Sequence, residues 1–170
     1  MTEFIKSVGG ETVAGIVGPS PDFDNADYYF KKENVLIELK CFEKDPFSKG
    51  DEDKSVRFMV KWLEKGLIKV EDVFSYTNGS MKLPEECVQD MIQSCRRTFE
   101  EAIRKGNRQL RETKKRIGNE RTLKALLLCN DGNYFLTESG TFDVINDIFV
   151  SRKDLEVDCF VLYTINQVSR

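Results

Sequence analysis

The spacing of apolar residues changes several times along this chain of 170 residues, and each spacing predicts a different element. Residues 26–42 contain two short apolar runs separated by a polar turn, which is the pattern of a β-hairpin. Between residues 84 and 117, apolar positions recur three and four apart, as on one face of a long amphipathic helix. Residues 123–129 form a continuous apolar run of strand length, which is typical of a buried central strand.

The other elements have weaker signals. Residues 12–17 are compatible with either a first strand or a short helix. Residues 43–56 are charged and contain proline and glycine, which favours a loop, and residues 58–63 predict a short helix. Residues 141–150 predict another helix, and residues 157–165 predict a last strand.

This order of elements predicts a single α/β domain over residues 1–170. A hairpin, a helix, a strand, a second helix and a last strand assemble into a mixed central β-sheet flanked by helices. The charged loop and the short helix form a small insertion at about residues 43–83. No apolar run approaches about 18 residues, so we predict no membrane span.

The second strand of the hairpin carries the residues with the clearest chemical meaning. Glu38 and Lys40 lie two positions apart, so their side chains point to the same face of the strand. Val35, Ile37 and Leu39 point to the other face, and we predict that this apolar face lies in the core.

An acidic residue at the start of the first strand completes a possible site. Pairing within the hairpin can bring the carboxylate of Asp27 towards Glu38. Two carboxylates with open positions suit Mg²⁺ or Mn²⁺, which can activate a water beside a phosphodiester. Lys40 can then orient the nucleophile or stabilise the oxyanion. A purely structural Glu–Lys pair is an equally open interpretation, because the chain contains three Glu-x-Lys sequences.

Residues 21–30 followed by residues 35–40 resemble the motif of the PD-(D/E)XK nuclease superfamily. The resemblance implies a restriction-endonuclease-like core and a Mg²⁺- or Mn²⁺-dependent endonuclease that hydrolyses phosphodiester bonds of nucleic acid, with DNA expected as the substrate. By match to the motif, Asp27 and Glu38 are metal ligands and Lys40 is the catalytic lysine.

The identity of the first acidic ligand has alternatives. Asp22 follows a proline, as in the name of the superfamily, and Asp24 is also near. Asp27 is preferred because it leads directly into the strand.

The resemblance also suggests accessory residues. Glu11 is the candidate for an additional carboxylate near the N-terminus. Gln109 and Lys114 are candidates on the long helix, where members of the superfamily often carry a glutamine or a basic residue towards the site. A position beside the apolar stripe explains Gln109 equally well.

Charge is unevenly distributed along the chain. The net charge is −3, yet residues 96–124 contain eleven Lys or Arg and four acids, a local balance of 11 − 4 = +7. Such a stripe can follow a phosphate backbone, and we expect nucleic-acid contacts from Arg104, Arg108, Arg111 and Lys115. A solvated helix face is the alternative.

Histidine and cysteine narrow the possible chemistry. The chain has no histidine, which excludes histidine-based catalytic triads and metal sites. The five cysteines are scattered, mostly in apolar contexts. They predict reduced core thiols in a cytoplasmic protein, without a disulfide framework or a zinc site.

The sequence thus predicts a metal-dependent nuclease, and a homodimer would allow it to address both strands of a duplex. A second class of function is compatible with the same residues. In that alternative the fold is catalytically silent and binds nucleic acid or a protein partner as a subunit of a defence or repair system. Metal-dependent cleavage by the purified protein distinguishes the two.

Overall fold

The structure is a computed structural model, and it describes residues 2–18, 21–42, 52–77, 79–131 and 136–165. The helices are α1 (Thr2–Ser7), α2 (Val13–Val17), α3 (Glu52–Glu64), α4 (Val73–Thr77), α5 (Glu85–Ile117) and α6 (Glu138–Ser151). The strands are β1 (Glu11–Thr12), β2 (Tyr28–Phe30), β3 (Val35–Phe42), β4 (Leu123–Asp131) and β5 (Cys159–Ile165). A 3-10 turn, Val70–Asp72, precedes α4.

The strands form one sheet in the order β1-β2-β3-β4-β5. The first three strands are antiparallel, and Tyr28 pairs with Ile37 in the hairpin. β3, β4 and β5 are parallel, and β3 pairs with β4 from Val35–Leu123 to Phe42–Asn130. The predicted α/β fold with a mixed sheet flanked by helices is therefore confirmed.

Helix α5 is the main support of the sheet. It begins after Pro84 with two acidic residues, and it ends before Gly118 with basic residues in its last turn, as the helix dipole favours. Its buried stripe includes Phe99, Ile103 and Leu110, and this stripe packs across β3 and β4. The long amphipathic helix predicted between residues 84 and 117 is therefore confirmed.

The buried face of β3 is the opposite of the one predicted. Leu36 and Phe42, which share a face with Glu38 and Lys40, are buried in the main core. Val35, Ile37 and Leu39 are only half-buried. Alternation identifies which residues share a face, but the position of α5 decides which face is covered, so the prediction was wrong.

The insertion forms a small helical unit against the N-terminal part of α5. Trp62, Ile68 and Cys87 are its buried centre, and the Trp62 indole donates to Asp90 at 3.1 Å. The predicted loop over residues 43–56 was too long, because α3 already begins at Glu52. Its first part, residues 43–51, lies outside the described ranges.

Three further predictions can be compared with the structure. Residues 12–17 are mainly helix α2, preceded by the two-residue strand β1. The predicted helix and strand near the C-terminus correspond to α6 and β5. Cys41 and Cys159 are exposed, so the expectation of core thiols holds only for the other three cysteines.

Candidate functional site: a carboxylate–lysine cluster beneath helix α5

The hairpin fixes the position of Asp27. This residue directly precedes β2, and the pairing of Tyr28 with Ile37 places it opposite Glu38. One carboxylate oxygen, Oδ2, accepts a hydrogen bond from the backbone N–H of Leu39 at 2.8 Å. The carboxylate is therefore bound to the strand that carries the Glu-x-Lys sequence.

Glu38 is a buried carboxylate. Its exposed fraction is 1%, and Oε1 accepts a hydrogen bond from the Lys40 ammonium. Its other oxygen, Oε2, has no hydrogen-bond partner among the residues the structure describes. Burial raises the pKa of Glu38 from 4.5 to about 7, while the Lys40 hydrogen bond opposes the shift and the nearby Asp27 charge adds to it.

Lys40 bonds to two side chains at once. Its ammonium donates to Glu38 and, at 2.7 Å, to Oε1 of Gln109 on α5. The side-chain amide of Gln109 donates in turn to the backbone carbonyl of Asn25 at 3.0 Å. Gln109 therefore links the lysine to the segment that leads into Asp27.

Gly106 allows α5 to approach the site closely. A Cβ atom at this position would lie 2.6 Å from Cδ1 of Leu126, 3.4 Å from Cγ of Glu38 and 3.5 Å from Cε of Lys40. A larger residue would therefore have to displace the tip of the buried Leu126 side chain or move the helix away from the sheet above the carboxylate–lysine cluster.

The segment before Asp27 is held along α5 by polar contacts. Asp24 forms an ion pair with Arg108 at 2.8 Å, and Asp22 pairs with Arg116 at 3.5 Å. The backbone N–H of Ala26 donates to the hydroxyl of Thr113 at 2.7 Å.

These contacts separate the three acidic candidates. The carboxylates of Asp22 and Asp24 bind arginines on the surface of α5, and Asp27 alone of the three lies beside Glu38.

The structure does not bring two accessory candidates to the cluster. Glu11 lies in β1 and forms an exposed ion pair with Lys31 at 3.2 Å. The Lys114 ammonium donates to the backbone carbonyls of Glu120 and Thr122 at 2.9 and 2.8 Å. Lys114 therefore binds the loop after α5, because it projects from a different side of the helix than Gln109.

Three contributors were missed by sequence reasoning: Asn25, Gly106 and Thr113. Gly106 has a recognisable signal, because glycine inside a strong helical pattern often indicates close packing. The roles of Asn25 and Thr113 depend on a contact between segments far apart in the chain, for which the sequence offers no local signal.

The donors of the cluster fit a small divalent cation. Asp27 and Glu38 are carboxylates, which are the oxygen ligands that Mg²⁺ and Mn²⁺ prefer, and Glu38 has an oxygen without a partner. The described part of the chain contains no group of three or more acidic or cysteine ligands. Two carboxylates are nevertheless enough for Mg²⁺, which keeps several waters and accepts phosphate oxygens.

The basic stripe is partly neutralised in three dimensions, because six of its eleven Lys or Arg form ion pairs with carboxylates of the described residues. Arg96 pairs with Asp147, Arg108 with Asp24, and Arg116 with Asp22. Arg111 and Lys124 share the carboxylate of Glu156, at 3.9 and 3.4 Å. All four of these acids lie outside residues 96–124, which explains why the local charge of the sequence overstates the charge of the surface.

Fold and geometry together define an α/β protein with a carboxylate–lysine cluster between a β-hairpin and a long helix. Among known proteins, no family model, curated sequence or solved structure matches the chain. In the described ranges, no helix is long and apolar enough to cross a membrane.

Proposed function

We propose that the protein is a metal-dependent nuclease that hydrolyses phosphodiester bonds of nucleic acid, with DNA as the expected substrate. The observation that carries this proposal is the grouping of Asp27, Glu38 and Lys40 on one hairpin. The two carboxylates are neighbours, and the lysine bonds to one of them.

The two carboxylates would hold Mg²⁺ or Mn²⁺. Asp27 would bind through the oxygen that does not accept from Leu39, and Glu38 through its unpartnered Oε2. A bound divalent ion would lower the pKa of a water and offset the charge that develops on the phosphate.

Lys40 supplies the fixed positive charge of the site. Its ammonium can donate to the attacking water or to a phosphate oxygen, which stabilises the negative charge of the transition state. The hydrogen bond from Lys40 to Gln109 keeps the lysine in place when Glu38 is engaged elsewhere. Gln109 is accordingly a positioning residue in this proposal.

The protonation of Glu38 should control metal binding. With a pKa of about 7, this carboxyl is partly protonated at neutral pH, and only the ionised form is a good ligand. Metal affinity and cleavage should therefore rise as the pH increases through 7.

The test is cleavage of DNA by Lys40→Ala in Mg²⁺ or Mn²⁺. We expect a loss of at least about a hundredfold in rate, because a hydrogen-bond donor to the transition state is removed. Lys32→Ala, an exposed lysine in the hairpin turn, is the matched control and should cut like the wild type. Circular dichroism and thermal unfolding establish that the fold of each variant is intact.

The outcomes separate the two classes of function. Cleavage by Lys40→Ala at the wild-type rate would contradict the proposed role of the lysine. A wild-type protein that binds DNA but never cleaves DNA or RNA with either metal would support the alternative, a catalytically silent binding subunit.

A further inference from the structure

We propose that the outer flank of α5 forms a phosphate-binding trough, separate from the carboxylate–lysine cluster, for the backbone of a nucleic acid. The trough is defined by Arg104, Arg108, Arg111, Lys115 and Lys124. The choice of nucleic acid as ligand rests on the proposed function, whereas the trough itself rests on the geometry described next.

Two open clefts meet at Arg111. One, of about 590 Å³, lies between the C-terminal part of α5 and the loop that follows it, and Lys115 and Lys124 are among its lining residues. The other, of about 490 Å³, lies further towards the N-terminus of α5 and is lined in part by Arg104 and Arg108. Because Arg111 lines both, the two clefts are neighbours along the helix.

The trough points away from the candidate active site. Successive residues of an α-helix are rotated by about 100°. Arg104, Arg111 and Lys115 consequently lie about 120° to 160° around the helix from Gln109, whose side chain binds Lys40, and Arg108 lies about 100° from it. A strand in the trough thus lies on the other flank of α5 from the cluster.

The lining of the trough is positive. The two clefts together are lined by seven Lys or Arg and four Asp or Glu, a balance of 7 − 4 = +3. Within the described ranges, Arg104 and Lys105 form no ion pair with a carboxylate. The other defining residues of the trough have acidic partners: Arg108 pairs with Asp24, Lys115 with Glu112, and Arg111 and Lys124 with Glu156. The excess positive charge of the trough therefore lies at the end that Arg104 and Lys105 form.

Two groups in the trough have incomplete partners. Lys124 has only 9% of its side chain exposed, and its ion-pair partner Glu156 also forms an ion pair with Arg111. The buried Nε of Arg111 makes no hydrogen bond in the part of the chain that is described, and Oε1 of Glu112 lies 3.6 Å from it. Buried donors whose acceptors are shared or distant favour binding of an anion, because the anion adds bonds that the protein alone does not supply.

The lining favours the phosphate backbone over the bases. Arg104 and Lys115 are separated by about 16 Å along α5, enough for several phosphates of one strand. No aromatic residue is among those that line either cleft, so stacking with bases has no platform. Binding should therefore be sensitive to salt and nearly independent of sequence.

The experiment measures the affinity of a labelled, mixed-sequence DNA duplex against salt concentration without metal. The Lys40→Ala background prevents cutting. Adding Arg111→Gln and Lys115→Gln should weaken binding about tenfold and reduce the log–log salt slope by up to about 1.8, since each neutralised phosphate contributes about 0.9. The matched control adds Lys32→Gln and Lys69→Gln, which remove two exposed lysines outside the trough, and should bind like the background.

A second variant distinguishes weaker DNA binding from loss of the fold. Lys115 is 63% exposed, so Lys115→Glu should fold normally and still weaken binding. Unchanged affinity and slope for both trough variants would overturn the proposal, as would equal binding of polyglutamate and DNA by the background protein. A wild type that binds through the trough but never cleaves would leave this inference standing and overturn the proposed nuclease activity instead.

Discussion

At the scale of single residues, the buried carboxyl group of Glu38 has the most unusual environment of the candidate site. It is a buried carboxylate with one oxygen bonded to Lys40 and the other without a partner. Burial without full compensation destabilises the charged form, which is why the pKa of this group is raised. Such an arrangement costs stability, and it is typical of sites where a charge is used by a ligand or a reaction.

The raised pKa of Glu38 predicts a specific pH dependence of stability. Because the pKa is about 7 in the folded protein and 4.5 in the ordinary state, folding favours the protonated form. The contribution of this carboxyl to the free energy of unfolding is fully present below pH 4.5 and is lost as the pH rises through 7. The total loss is roughly 3 kcal/mol at most. The measurement is the free energy of unfolding against pH, with chelator present, for wild type and Glu38→Gln.

Glu38→Gln should not lose stability in this way as the pH rises through 7, because glutamine is neutral at every pH of the experiment. The difference in stability between variant and wild type should therefore grow from pH 5 to 8. Two parallel curves would show that the Glu38 carboxyl titrates normally.

The pair of carboxylates predicts a second result, in metal binding. Asp27→Asn and Glu38→Gln should each weaken Mn²⁺ binding in calorimetry, since each removes an anionic oxygen ligand. Without metal, each should also raise the melting temperature, because repulsion between adjacent carboxylates is relieved. Asp24→Asn is the matched control, since Asp24 lies on the same segment but pairs with Arg108. Wild-type affinity in both site variants would place the ligands elsewhere.

At the scale of elements, α5 organises both surfaces described above. One flank contributes Gln109 to the carboxylate–lysine cluster, and the opposite flank forms the trough. Close packing over β3 and β4 depends on Gly106, where a side chain would meet Leu126. The same helix therefore supports the sheet and separates the two surfaces.

This packing predicts the effect of Gly106→Ala. The new Cβ would lie 2.6 Å from Leu126, and overpacking of this kind costs about 1–3 kcal/mol. The gain in helix propensity, about 1 kcal/mol, offsets only part of that cost. We expect a lower free energy of unfolding in urea and weaker cleavage, because Gln109 moves away from Lys40 with the helix.

Thr98→Ala is the control, because it changes an exposed residue of the same helix outside the trough and should alter stability by less than about 0.5 kcal/mol. A fully stable and active Gly106→Ala protein would mean that α5 can shift without disturbing the cluster.

At the scale of the whole molecule, the sequence predicted the elements that have local signals, but it did not predict the contacts between distant segments. The hairpin, α5 and the mixed sheet could be predicted because periodicity and end signals lie within each element. The buried face of β3 depends on where α5 docks, and the contact between Lys40 and Gln109 joins residues 69 apart in the chain. The neutralisation of the basic stripe by Asp22, Asp24 and Asp147 likewise depends on distant segments.

The register of the central strands also has a consequence for how the molecule folds. Val35 pairs with Leu123, so 123 − 35 = 88 positions separate partners in neighbouring parallel strands. Closing so long a loop is slow, because its entropy is lost before the contacts form. The hairpin that carries Asp27, Glu38 and Lys40 is local and can form early. The two carboxylates and the lysine would then meet first, and α5 and the central strand would enclose them afterwards.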